Sequence, residues 1–134
     1  MRIMLDANLL ASMFLFPNGF MSRLKEALCS ENQILLCAYV VDELKDVVAS
    51  KFPARPADID WFLKSFTYTP VYAPERFNSD DYPEIRDIAD LPVLVSAILE
   101  DADVLITGDK GFNDVKSKSR KSSSLMILWQ YTAD

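Results

Sequence analysis

The stretch RDIADLPVLVSAILEDADVLITGDKGF, residues 86–112, decides how the rest of the chain is read. Its apolar run opens at Leu91 and tolerates Pro92 in a first helical turn, so a helix is expected from about 91 to 101. Asp103-Val104-Leu105-Ile106-Thr107 follows as a buried strand, closed by Gly108-Asp109. A helix feeding directly into a continuously apolar strand is the unit from which parallel sheets are built. Working outward, Ile3-Met4-Leu5 is short, apolar and broken off at Asp6-Ala7-Asn8, which reads as a strand over 2–6. Pro17-Asn18-Gly19 reads as a turn. Residues 20–31 have helical spacing at Phe20, Leu24, Ala27 and Leu28. Ile34 to Ala38 is a second buried strand. A helix from about 40 to 51 places Val40, Val41, Leu44, Val47 and Val48 on one face, and Pro53 ends it. Pro56-Ala57-Asp58 opens a third helix carrying Trp61, Phe62 and Phe66, and Thr69 to Tyr72 is a short strand. Residues 74–90 are polar, with Asp80, Asp81, Glu84, Asp87 and Asp90. Residues 116–124 (KSKSRKSSS) form a basic, serine-rich loop, and Leu125 to Trp129 is a final strand.

Strands alternating with helices, and reading as unbroken apolar runs, imply an α/β chain. The expected architecture is a three-layer α/β/α sandwich around a mainly parallel sheet. With 134 residues, half of them hydrophobic, and no internal repeat, a single domain over 1–134 is expected. No apolar run approaches the ~20 residues that span a bilayer. Asp6 interrupts the N-terminus too early for a signal peptide, which places the chain in the cytoplasm. Cys29 and Cys37 then read as reduced core residues.

Histidine is absent. That removes serine–histidine and paired-histidine chemistry, and with no CxxC spacing it removes protein-held zinc as well. Any metal would be hard and bound through oxygen, namely Mg²⁺ or Mn²⁺. The net charge of −6 argues at first against a nucleic-acid partner. Acids gathered at one metal site would account for several of those charges, so the overall balance decides little.

Ligands of open α/β sheets bind beyond the carboxyl ends of the strands. Asp6 and Asp109 each stand at such an end, and Asp90 sits just ahead of a helix. Glu43 interrupts an apolar helix face and is expected to be partly buried, where an unpaired carboxylate costs several kcal/mol. Each acid also has an ordinary reading. Asp6 can cap the turn after its strand, Asp90 can cap the helix it precedes, Asp109 can close a turn, and Glu43 can pair with a lysine. Their joint arrangement favours a shared site, because two strand ends, a helix start and a helix position can converge on one edge. Two carboxylates ~5 Å apart, repelling by about 3 kcal/mol at an effective dielectric of 20, would call for a cation.

MRIMLDANLL (1–10), VVDELKDVV (40–48), the 86–112 stretch and SLMIL (124–128) resemble the PIN-domain nucleases, most nearly the bacterial and archaeal PIN-type toxins of toxin–antitoxin systems. The resemblance covers nearly the whole chain. Asp90-x-Pro92-x-Leu94, then Ala102-Asp103 and Thr107-Gly108-Asp109-Lys110, is its most specific part. It implies a metal-binding, catalytic quartet of Asp6, Glu43, Asp90 and Asp109, with Asn8 and Thr107 as supporting hydrogen-bonding residues and Asp87 as an outer acid. Many relatives carry a further acid where this chain has Gly111, and Asp114 is the nearest substitute. The resemblance also implies RNA as substrate, an antitoxin partner, and a homodimer or larger homo-oligomer.

Phosphodiester hydrolysis suits such a site, because carboxylate-held cations acidify water and offset phosphoryl charge. Lys110 is placed to touch a phosphate. Lys116, Lys118, Arg120 and Lys121 could track an RNA backbone or an acidic antitoxin segment, or form a solvated loop. Phe14, Phe16 and Phe20 are expected in the core, with a partner surface as the alternative. Among rivals, an aspartyl phosphatase wants a second Asp where Asn8 stands, and a receiver domain wants paired acids that Asp6-Ala7 does not supply. A PIN-like module that binds RNA or protein without cutting it is the remaining alternative.

Overall fold

A computed structural model of the chain describes residues 1–51, 56–82, 88–107 and 126–129. In chain order its elements are β1 (Arg2–Leu5), α1 (Ala7–Leu15), α2 (Gly19–Glu31), β2 (Gln33–Cys37) and α3 (Ala38–Lys51). There follow α4 (Pro56–Lys64), β3 (Tyr68–Val71), α5 (Leu91–Leu99), β4 (Val104–Thr107) and β5 (Met126–Trp129). Short 3-10 turns occupy Ser79–Asp81 and Ile88–Asp90. The strands form one sheet in the order β3-β2-β1-β4-β5, and every neighbouring pair is parallel.

Successive strand residues point to opposite faces, so a strand buried at every position is covered on both. Ile3 to Leu5, Ile34 to Cys37 and Val104 to Thr107 are all buried, which establishes the expected layered α/β arrangement. β3 is different: Thr69 and Pro70 are exposed, and only Val71 is buried. It is the edge strand, and an edge is where a proline lacking N–H is tolerated. The opposite, amino end of the sheet is tied together by Arg2. Its guanidinium donates to the Glu100 carbonyl at 2.9 and 3.1 Å and to Gln33 Oε1 at 2.9 Å, while its backbone N–H donates to Asp103 Oδ2 at 2.8 Å.

Several local readings change, and Phe66, expected on the third helix, falls just past the end of α4 at Lys64. Ala7 to Leu15 form a helix that the sequence analysis did not assign, since ANLLASMFL is apolar on nearly every side and shows no period. Pro17-Asn18-Gly19 is the start of α2 rather than a free turn: the Asn18 side chain accepts the Met21 N–H at 2.9 Å as an N-cap. The three phenylalanines divide. Phe14 packs edge-on against Phe62 with centroids 5.3 Å apart, whereas Phe16 and Phe20 are exposed, contrary to expectation. Their places at the C-cap of α1 and in the first turn of α2 leave too little neighbouring chain to cover them. Behind Phe62, Lys25 holds α2 to α4. Its Nζ lies 4.7 Å from the Phe66 centroid and 5.1 Å from that of Phe62, and it hydrogen-bonds Ser65 Oγ. Cys29 and Cys37 are both free thiols, and burial pushes the Cys29 thiol above its ordinary pKa, with Lys25 pulling the other way.

Candidate metal centre at the switch point of the sheet

The strand order reverses between β1 and β4. Beginning at β1 the chain moves one way, to β2 and then β3; it then crosses back to β4 on the other side of β1, and β5 lies beyond. A crevice opens beyond the carboxyl ends of strands at such a reversal. Asp6 stands at the end of β1 and Thr107 ends β4, so the fold delivers these two residues to the same place.

The contact is direct. The Asp6 backbone N–H extends the ladder to the Ile106 carbonyl at 3.0 Å, and Thr107 Oγ1 donates to Asp6 Oδ2 at 2.6 Å. That length is typical of a hydroxyl on a carboxylate. Asp6 is 3% exposed and Thr107 is 0% exposed. Asp6 occupies the N-cap position of α1 and Asp90 that of α5, yet neither side chain makes a capping hydrogen bond. The ordinary reading of Asp90 as a helix cap therefore fails, and Asp6 does not cap the helix that follows it either. A cap oxygen must turn back toward the N–H groups of the first turn, and both carboxylates are directed elsewhere. Asp90 Oδ2 is shut off from solvent.

Glu43 corrects another expectation. It is exposed, not partly buried. The buried line of α3 runs through Val40, Leu44 and Val48, with Val41 and Val47 half-buried on its flanks. Glu43 precedes Leu44 by one residue, about 100° around the helix, which sets it beyond the flank. It nevertheless lies in the second turn of a helix that starts at the carboxyl end of β2, beside β1. Asn8 is exposed in the first turn of α1.

Asp87, Asp109, Lys110, Gly111, Asp114, Lys116, Lys118, Arg120 and Lys121 lie outside the described residues. Among the described residues no three Asp, Glu or Cys side chains gather as a metal-holding group, and the pair brought into contact is Asp6 with Thr107. The donors nevertheless fit a hard cation: they are carboxylate oxygens, and the two at helix starts leave the helix ends uncapped. Among the described residues no helix is long and apolar enough to cross a membrane. Cys37 is the buried, reduced residue expected, but its contact with Ser96, which joins β2 to α5, has no signal in the sequence. Both stand in apolar runs and carry no motif.

The PIN domain family model matches residues 2–111. No curated relative matches the chain. Among solved structures the fold is similar to that in "Crystal structure of VapBC2 from Rickettsia felis bound to a DNA fragment from their promoter", with a TM-score of 0.69 and 22% identity over 97% of this chain and 100% of that one. The family model spans both halves of the switch point, from β1 through β4, and on that match the chain belongs to the PIN-domain family, whose members are generally nucleases that use divalent metal ions.

Proposed function

We propose that the chain, as a single PIN-like domain over 1–134, is a metal-dependent endoribonuclease that hydrolyses RNA phosphodiester bonds. The observation that carries this reading is the buried Asp6 carboxylate, held by Thr107 at the strand reversal and not used as a helix cap. In this reading Asp6, Glu43, Asp90 and Asp109 hold Mg²⁺ or Mn²⁺. A cation held there supplies acidification of an attacking water and neutralisation of charge on the phosphoryl oxygens. Thr107 fixes one Asp6 oxygen, so the other keeps a constant bearing. Asn8 and Asp87 support the ligands. Lys110 meets the scissile phosphate, and Lys116, Lys118, Arg120 and Lys121 follow the RNA backbone. The ribose 2′-hydroxyl takes no part, so the products carry a 5′-phosphate and a 3′-hydroxyl.

The likeness in fold to the VapBC2 structure, with the resemblance to PIN-type toxins, supports a toxin that works with an antitoxin protein. The same reading puts it in the cytoplasm as a homodimer or larger homo-oligomer. A second reading, a module that binds RNA or a protein without cutting, draws on one observation: no three metal-ligating side chains gather among the described residues. One assay separates the two. Single-stranded RNA should be cut only with Mg²⁺ or Mn²⁺, spared in chelator, and cut at least 100-fold more slowly by Asp6→Asn and Asp90→Asn, roughly the loss of one catalytic step's electrostatic stabilisation. Undiminished cleavage by both folded variants, or 2′,3′-cyclic phosphate as first product, would overturn the nuclease mechanism. RNA that is bound but never cut would establish the second reading.

A further inference from the structure

The first turn of α5 is not held by its own N-cap, because the Asp90 side chain makes no capping bond. It is held from within. Ser96 Oγ donates to the Pro92 carbonyl at 2.8 Å, and Cys37 Sγ lies 3.3 Å from Ser96 Oγ. A hydroxyl has one proton, and here Pro92 receives it, so the Cys37 thiol is the donor to Ser96. Ser96 is 1% exposed and Cys37 is fully buried. The neighbours of Ser96 on α5, from Val93 to Ile98, are all apolar and buried. A serine whose hydroxyl bonds back to a carbonyl four residues earlier gives a helix no stability of its own and tends to bend it, and alanine is the better helix former at such a site.

The ends of this chain of bonds are informative. Cys37 is the last residue of β2, directly before the helix that carries Glu43, and Pro92 stands two residues after Asp90. One path, from buried Cys37 through buried Ser96 to half-buried Pro92, therefore joins the segment leading into Glu43 to the turn headed by Asp90. We propose that Ser96, with Cys37 as its donor, is a positioning residue that sets the first turn of α5 and so the bearing of Asp90 relative to Glu43. The assignment rests on the metal-binding reading of Asp90.

The test measures Mn²⁺ affinity of the full chain without RNA, from the electron paramagnetic resonance signal of free Mn²⁺. Urea unfolding of each metal-free variant accompanies it. Ser96→Ala should weaken Mn²⁺ binding about ten-fold, as loss of a ligand-orienting partner does. Ser96→Thr keeps the hydroxyl and should restore most of the affinity, and Cys37→Ala should weaken binding in the same direction by less. Wild-type affinity in folded Ser96→Ala, or a threonine variant no better than the alanine one, would reduce the path to ordinary core structure and overturn the proposal. Asp90→Asn separates the two levels. If it loses Mn²⁺ while Ser96→Ala keeps it, positioning alone is refuted. If Asp90→Asn binds as tightly as wild type, the metal reading falls and the positioning role with it.

Discussion

Thr107 ends a fully buried strand, where valine would fill the same space without a polar atom to satisfy. Its hydroxyl has a use in the 2.6 Å bond to Asp6, itself 3% exposed. Removing that donor leaves a buried carboxylate with one fewer partner, at a cost of about 1–3 kcal/mol. Thr107→Val should therefore unfold at lower urea than wild type in chelator, and should bind Mg²⁺ more weakly; an equal or higher midpoint would show that the hydroxyl is dispensable. Asp6 and Thr107 were legible in the sequence because each ends an apolar run, and only a strand end offers a polar residue to the crevice. Glu43 was only half legible. Its neighbours gave the correct buried line, but one residue of offset on a helix separates cover from solvent. The Cys37–Ser96 contact was not legible at all, since it joins residues 59 apart through geometry that no local pattern records.

Among the elements, α2 depends on a residue that reads as part of a loop. Asn18 satisfies the Met21 N–H, one of the N–H groups left open at any helix start. Asn18→Ala should cost about 1 kcal/mol of stability, and Asn18→Asp, which keeps the acceptor at the positive end of the helix, should cost little or nothing. Chemical denaturation of the two variants checks this, and equal losses would deny the cap its role. The buried strands were read from sequence because all-apolar runs of four or five residues bounded by polar ones suit a sheet covered on both faces. The same property hid α1: buried at Ala7, Leu9, Leu10 and Met13, it shows no polar stripe to reveal its period. At the far end of α5 the chain turns through Asp101, whose φ of 53° lies in the left-handed region usually given to glycine. Ala102 N–H then bonds the Ala97 carbonyl at 2.9 Å and closes the helix.

Across the whole molecule the two ends of the sheet have different work. The amino end is tied by Arg2, Gln33, Glu100 and Asp103, and the carboxyl end carries Asp6 and Thr107. If the carboxyl end binds metal in the folded chain only, the ion is linked to folding, and a hundred-fold excess over its Kd adds about 2.7 kcal/mol. Thermal melts should rise with Mg²⁺ for wild type by about 5 °C or more, and much less for Asp6→Asn. Equal rises in both proteins would remove Asp6 from the metal site. The Asp6–Thr107 bond spans 101 residues, and this separation bears on the order of synthesis. A ribosome releases β1 first, and β2 can join it early, but the other side of β1 stays open until β4 emerges. A nascent chain that ends short of Thr107 carries Asp6 with neither the strand that buries it nor the hydroxyl that holds it. On the nuclease reading proposed above, the chain is expected to stay silent while it is being translated, and to become competent only once its message has been read past that threonine.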